Sequence, residues 1–260
     1  MKGWRLSVYG PLLIFVALIA LWYGYVKLFS VPAMILPLPH EIVEALTRFF
    51  STGLILKHLA TTAKEVVIGF LLGLCFGILL GAPIALSRTV ETLLYPYVLA
   101  LQTMPKVALA PLMMIWVGHG IESKIIITAI IALFPILVNV IVGLRSVDLD
   151  RINLIRSLNG GRWSEFTMVR LPSAAPFIFA GMKTAIVFSL LGAIAAEFVS
   201  AESGLGYLLA QLMFRLDTAG VFAVLLVLAA IGISLYSLAD FLHRRLVFWE
   251  QGDRERLGPS

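Results

Sequence analysis

Uncharged runs as long as a bilayer is thick constrain this chain more than any other feature. Leu6–Val26 contains no charged residue, and a helix needs about 20 apolar residues to cross roughly 30 Å of hydrocarbon. Comparable runs recur along the chain. Lipid offers no hydrogen-bond partners, so each such run must satisfy its own backbone as a helix. The fold class is therefore an all-α membrane protein. Composition agrees: of 260 residues, 60% are hydrophobic and 13% charged, about half the charged share of a soluble domain. The net charge of +5 reflects basic residues gathered at span ends, a topology signal rather than a nucleic-acid one. Cys75 is the sole cysteine, which excludes an intrachain disulfide.

Six spans are expected within one transmembrane domain covering 1–260, at about 6–26, 58–86, 91–117, 125–144, 173–199 and 218–240. The first is expected to be an uncleaved anchor. It is too long for a signal peptide, and no small-x-small site follows it. Pro32, Pro37 and Pro39 then forbid a continued helix. Ile42, Val43, Leu46, Phe49 and Phe50 share a helical face, which predicts a short helix on the outer membrane surface. Pro96, Pro105 and Pro111 predict a bent or broken third span. A partly helical outer connection is expected before the last span, and a charged tail at 243–260.

Lysine and arginine placement orients the bundle. With both termini cytoplasmic, the inner segments hold Lys2, Arg5, Arg88, Arg145, Arg151, Arg156, Arg162, Arg170, Arg244, Arg245, Arg254 and Arg256. The outer segments hold Lys27, Arg48, Lys57, Lys124 and Arg215. The loop at 146–172 is then cytoplasmic.

Inside the spans, Gly69, Gly73, Gly77 and Gly81 fall on one helical face and permit close helix approach. The partner is open: a helix of the same subunit, a second copy, or a surface that slides. Ionisable residues are few: Lys64 and Glu65 in span two, Lys106 in span three, and Lys183 and Glu197 in span five. Lys183 and Glu197 share a face about 21 Å apart, so each needs another partner. Lys106, beside Pro105, is the candidate for Glu197. Such residues either pair structurally or mark a pathway.

No G-x-x-x-x-G-K-[ST] phosphate cradle or G-x-S-x-G elbow is present, and the histidines lie at span ends or in loops. The chain has no visible enzyme machinery, so nucleotide-driven transport would take its power from another subunit. A secondary transporter, the alternative, would carry its own ion-coupling residues. The loop at 146–172 instead interrupts the apolar sequence with arginines, and Ile152, Leu154, Ile155 and Leu158 recur in it at helical spacing. Trp163, Phe166 and Val169 continue the apolar stripe. An amphipathic helix with an aromatic–basic end suits a groove on a partner protein; acidic lipid headgroups are the other candidate.

The segments ILPLP (Ile35–Pro39), QTMPKVALAPLMMIWVGHG (Gln102–Gly120), GGRWSEFTMVRLPSAAPFIFAGMK (Gly160–Lys183) and AAEFVSAESGLGYLL (Ala195–Leu209) make the chain resemble a known family along nearly its whole length. That family is the permease subunits of ATP-binding-cassette importers of the nitrate/taurine/aliphatic-sulfonate type. The resemblance implies a type I importer permease fold in a bacterial cytoplasmic (inner) membrane. It also implies a second permease copy, two ATPase subunits that bind ATP and Mg, and a solute-binding protein; this chain itself would hold no cofactor or metal. The cargo would be a sulfonate-, nitrate- or taurine-like anion, or a small aromatic or heterocyclic compound.

By the same resemblance the cytoplasmic loop couples to the ATPase through Asn153, Leu154, Ile155, Arg156, Ser157, Leu158, Asn159, Gly160, Gly161, Arg162, Trp163 and Phe166. The family's glutamate-alanine-alanine triplet falls on Asn153-Leu154-Ile155, and its glycine on Asn159. The motif acid is missing. The path is expected to be lined from spans three to five, with Met104, Pro105, Lys106, Lys183 and Glu197 as candidates.

Overall fold

A computed structural model describes residues 2–200 and 202–249, with side chains placed at 10–199 and 202–249. The last eleven residues of the expected tail, including Arg254 and Arg256, lie outside the described residues, as do the side chains of Lys2 and Arg5. In chain order the helices are α1 (Lys2–Leu28), α2 (Pro39–Ser51), α3 (Leu54–Leu86), α4 (Arg88–Thr103) and α5 (Ala110–Val117). They continue with α6 (Ile121–Arg145), α7 (Leu149–Ser157), α8 (Arg162–Glu165), α9 (Leu171–Ser200), α10 (Leu205–Phe214) and α11 (Thr218–Leu246). A 3-10 turn at Lys106–Leu109 joins α4 to α5, and a π-helical turn at Phe166–Arg170 joins α8 to α9.

Among the described residues five segments are long and apolar enough to cross a bilayer; α4 and Lys106–Val117 meet the same measure only as a pair, bent by 88° where they join, the geometry of a broken span or a re-entrant loop. The break falls at Met104-Pro105, where the ring disfavours α-conformation in the preceding residue and removes a backbone donor. Met104 is accordingly extended, with ψ 138°. Proline alone does not force this, because Pro83, Pro96, Pro135 and Pro176 all lie inside continuous helices.

The centre of the bundle is α3, α6 and α9. The glycine stripe of α3 meets Thr128, Ala132, Ile136 and Val140 of α6, one contact per turn. A Cβ on Gly77 would stand 2.8 Å from Ile136 Cγ2 and 3.1 Å from the Leu133 carbonyl, so the two helices meet nearly backbone to backbone. Of the three alternatives left open by the sequence, the structure shows packing inside the subunit.

Helix α2 differs from expectation. Its buried face is Ile42, Ala45 and Phe49, packed into a cluster with Leu205, Leu208 and Val224 of α10 and α11. Val43 and Phe50 point outward. Arg48 bonds Asp217 at 3.1 Å, which docks the helix on protein. Helix α4 buries none of its residues within the chain.

Candidate functional site

Three groups of polar side chains stand out, one near each end of the bundle and one between them. The first is the loop between α6 and α9. Asp148 caps α7 by accepting from the Asp150 amide at 2.9 Å, as N-cap aspartates do. Nine residues later the helix stops: Asn159 takes φ 58°, a left-handed conformation that asparagine tolerates. The Gly160 amide then donates to the Ile155 carbonyl at 2.9 Å, a closure that leaves no room for a Cβ there. The turn uses Asn159, the position where the resemblance leads one to expect a glycine.

The loop is braced by Glu165, a residue the sequence reading assigned no role. Its Oε2 accepts from Arg156 Nη2 at 3.0 Å, and its Oε1 from Arg170 Nη2 at 2.7 Å. Arg170 also donates to the Leu144 carbonyl at 3.2 Å. One carboxylate thus ties α7 to the start of α9 and the end of α6. Glu165 precedes the spanning part of α9, and Arg170, then Arg156, hold its carboxyl below the usual carboxylate range by hydrogen bonding. Its sequence signal is an acid flanked by arginines, 9 residues before and 5 after it. The surface this brace presents is apolar: Leu154, Leu158 and Trp163 are 60%, 71% and 75% exposed, with Phe166 stacked against Trp163 at 6.0 Å. Ile152 is buried and anchors the helix; Ile155 is half-buried, while Asn153, Ser157, Gly161 and Arg162 face outward. Burying side chains of this size is worth about 1.5–3 kcal/mol each.

The second group joins the opposite ends of α3, α6 and α9 to the start of α10. Glu197 Oε1 accepts from the Thr62 hydroxyl at 2.6 Å, and Oε2 accepts from the Gly206 amide at 2.6 Å. The Leu205 amide donates to Thr62 Oγ1 at 2.8 Å, and the Gly204 amide to His58 Nδ1 at 3.1 Å. These acceptors satisfy the free amides at the start of α10, and a carboxylate there is favoured by the helix dipole. Glu65 pairs with Lys124 at 3.4 Å, and both are buried.

This overturns the expected pairing of Lys106 with Glu197. The bend at Pro105 turns Lys106 onto α6, while Glu197 is already held by α3 and α10. Lys124, counted as an outer loop charge, is a helical residue inside the protein. Lys183 turns to α11: its Nζ donates to Asp240 Oδ1 at 2.6 Å and lies 2.8 Å from His243 Nδ1.

The third group is a cleft of about 460 Å³ beside the broken span. Gln102, Lys106 and Val107 form one wall, and Phe134, Asn139, Thr184 and Phe188 are among the residues opposite. Lys106 Nζ donates to the Gln102 carbonyl at 2.7 Å and sits 4.6 Å from the centre of the Phe134 ring. Such a cation–π contact is worth about 0.5–2 kcal/mol. Of the five path candidates, Lys106 alone lines this cleft; Met104 and Pro105 form the break next to it in the chain, and Lys183 and Glu197 are held elsewhere. Asn139, Thr184, Phe134 and Phe188, which complete the cleft, carry no distinguishing spacing in the sequence.

Comparison with known proteins gives these features a context. The riboflavin transport system permease protein RibX of Chloroflexus aurantiacus is 36% identical over 233 residues, 90% of this chain and 87% of that one. The putative aliphatic sulfonates transport permease protein SsuC of Bacillus subtilis is 32% identical over 247 residues, 95% of this chain and 88% of that one. Among solved structures, an inward-facing form of the MetNI methionine ABC transporter superposes with TM-score 0.66 at 17% identity, covering 74% of this chain and 95% of that chain. That likeness establishes the type I importer permease fold. The family described as "binding-protein-dependent transport system inner membrane component" matches residues 73–248. By that match and by relatives of over 30% identity along nine-tenths of its length, this chain belongs to the multi-pass inner-membrane permease subunits of ABC importers.

Proposed function

We infer that two copies of this chain form the translocation path of an ATP-driven importer, with both termini cytoplasmic. Two external ATPase subunits bind ATP and Mg and engage the loop at 146–172. A solute-binding protein delivers cargo to the opposite face, where α10 sits. The observation that carries this reading is the exposed Leu154–Leu158–Trp163 surface on a loop held rigid by Glu165. Apolar side chains in an otherwise basic loop gain little from water and much from a groove on a partner. Rigidity lets closure of that partner move α6 and α9, to which Glu165 and Arg170 tie the loop. ATP binding drives the cycle only through different affinity for the inward- and outward-open states. The names of the relatives point to small anions such as sulfonates, or to heterocycles such as riboflavin, as the classes of cargo.

The test is affinity purification from native membranes. A Walker-motif ATPase is expected to accompany the chain, and Leu158→Asp is expected to lose it while the protein still inserts at normal yield. Full co-purification with Leu158→Asp would overturn the role of the loop. Uptake by the chain reconstituted alone under an ion gradient would instead establish a secondary transporter.

A further inference from the structure

Among the described residues of the spans, three lysines are buried or half-buried, and two of them face acids. Lys124 is paired with Glu65 and Lys183 with Asp240. Lys106 is held by a carbonyl and a ring face alone, and no acid lines its cleft. Phe134 lies about 20 Å from one end of α6 and about 17 Å from the other at 1.5 Å per residue, beyond the reach of lipid headgroups at either surface. An ammonium without a counter-ion at that depth marks a functional site by default.

The rest of the cleft limits what the ammonium receives. Phe134 and Phe188, with Ile131, Pro135 and Val138, give it aromatic and aliphatic walls. The carboxamides of Gln102 and Asn139 and the Thr184 hydroxyl add neutral polar groups. Its volume of about 460 Å³ is that of a small-molecule pocket. A small inorganic anion would leave most of the apolar wall unfilled, and a neutral ring would leave Lys106 without a counter-charge.

We propose that this cleft is a substrate subsite for a flat aromatic or heteroaromatic anion, with Lys106 drawn off the Phe134 ring to pair with the anionic group while the ring of the substrate takes its place between Phe134 and Phe188. This rests on the permease reading above and specifies its cargo. Lys106 is then both placeholder and receptor: its contact with Phe134 keeps the empty cleft closed to a neutral ring. Charge and ring are recognised by different residues, so their contributions separate.

The test uses the complete complex of this chain with its ATPase, reconstituted in lipid nanodiscs and titrated with three probes. These are benzenesulfonate, ethanesulfonate (the anion without the ring) and benzamide (the ring without the charge). Benzenesulfonate is expected to bind at least ten-fold more tightly than either of the others. Lys106→Met is expected to bring benzenesulfonate within two-fold of benzamide, and Lys106→Arg to keep most of the difference. Phe134→Leu and the more exposed Phe188→Leu are expected to bring it towards ethanesulfonate, and Phe134→Tyr to preserve the ring preference. Equal binding of all three probes to the wild-type complex would overturn the proposal, as would preferences unchanged by both Lys106→Met and the phenylalanine variants. A complex without ATP hydrolysis would sink the permease reading and this one with it. A complex that hydrolyses ATP without these preferences sinks this one alone.

Discussion

The cluster around Glu65 and Glu197 and the cleft around Lys106 occupy the same bundle and treat charge in opposite ways. In the cluster every charged group faces another polar group of the chain: Lys124 faces Glu65, and Glu197 takes the Thr62 hydroxyl and the Gly206 amide. The elements joined there are α3, α6, α9 and α10, so the network fixes how the bundle ends are arranged. In the cleft, Lys106 has no acid to face, and the backbone beside it is broken. Polar groups that face one another across four helices hold those helices in place. Unmatched charge, next to a discontinuous span, is available to a molecule that comes and goes.

The largest expected effect comes from making the same substitution in both regions. Lys124→Met leaves Glu65 buried without its ammonium, and breaking a buried pair from one side costs about 3–5 kcal/mol. Lys106→Met removes an ammonium that no acid compensates, so its stability is expected to stay level or rise. Thermal unfolding of the purified protein in detergent measures both. A similar loss in the two variants would erase the distinction between cluster and cleft. The pair Glu65→Leu with Lys124→Met is expected to recover most of the loss, because a well-packed apolar pair often equals a buried ion pair.

Next in size is Gly77→Leu, which tests whether the cluster is held in place by the helices below it. Overpacking a tight contact costs about 1–3 kcal/mol, occasionally more, and here the neighbour includes the Leu133 carbonyl, which cannot rotate away. The unfolding midpoint is expected to fall, and the Lys124–Glu65 register with it. An unchanged midpoint and normal transport would show that α3 and α6 are free to separate.

How far these regions were legible in the sequence follows from the kind of signal each leaves. The spans, the glycine stripe, the break at Pro105 and the helix within the loop are periodic or compositional, and one stretch of chain reveals each. The identity of the stripe's partner required α6, whose Thr128, Ala132, Ile136 and Val140 repeat at the same spacing of four but look like ordinary apolar helix. The ion pairs depend on which helices are neighbours. A bent or broken third span is compatible with a Lys106–Glu197 pair in sequence terms; the turn of 88° and the packing of Lys106 on Phe134 of α6 decide against it. Thr62, Lys124 and Asp240, the actual partners of Glu197, Glu65 and Lys183, come from other helices, 57 to 135 residues distant where hydrogen bonds record the separation. In the loop, resemblance drew attention to the triplet position, whereas the bracing acid stands twelve residues later at Glu165.

The smallest expected effect concerns that acid, and it sets the loop beside the cluster as a charge network that water can reach. Arg170 and Arg156 hold Glu165 below its ordinary range, so the ionised form is favoured in the folded loop relative to the unfolded chain. The stabilisation is fully present above the unfolded value, about 4.3 for a glutamate. It is lost as pH falls through the lower, folded value, because protonation removes the charge both arginines engage. Arg156 is 62% exposed at its side chain, so solvent screens its share, and the effect is expected to be modest. Protease nicking of the 146–172 loop, followed from neutral to acid pH with an acid-active protease, reads it directly. Cleavage is expected to rise in the wild type only at the acid end. In Glu165→Gln it is expected to be raised already at neutral pH and to change little on acidification. Identical pH profiles for the two would mean that α7 is held by the burial of Ile152 alone.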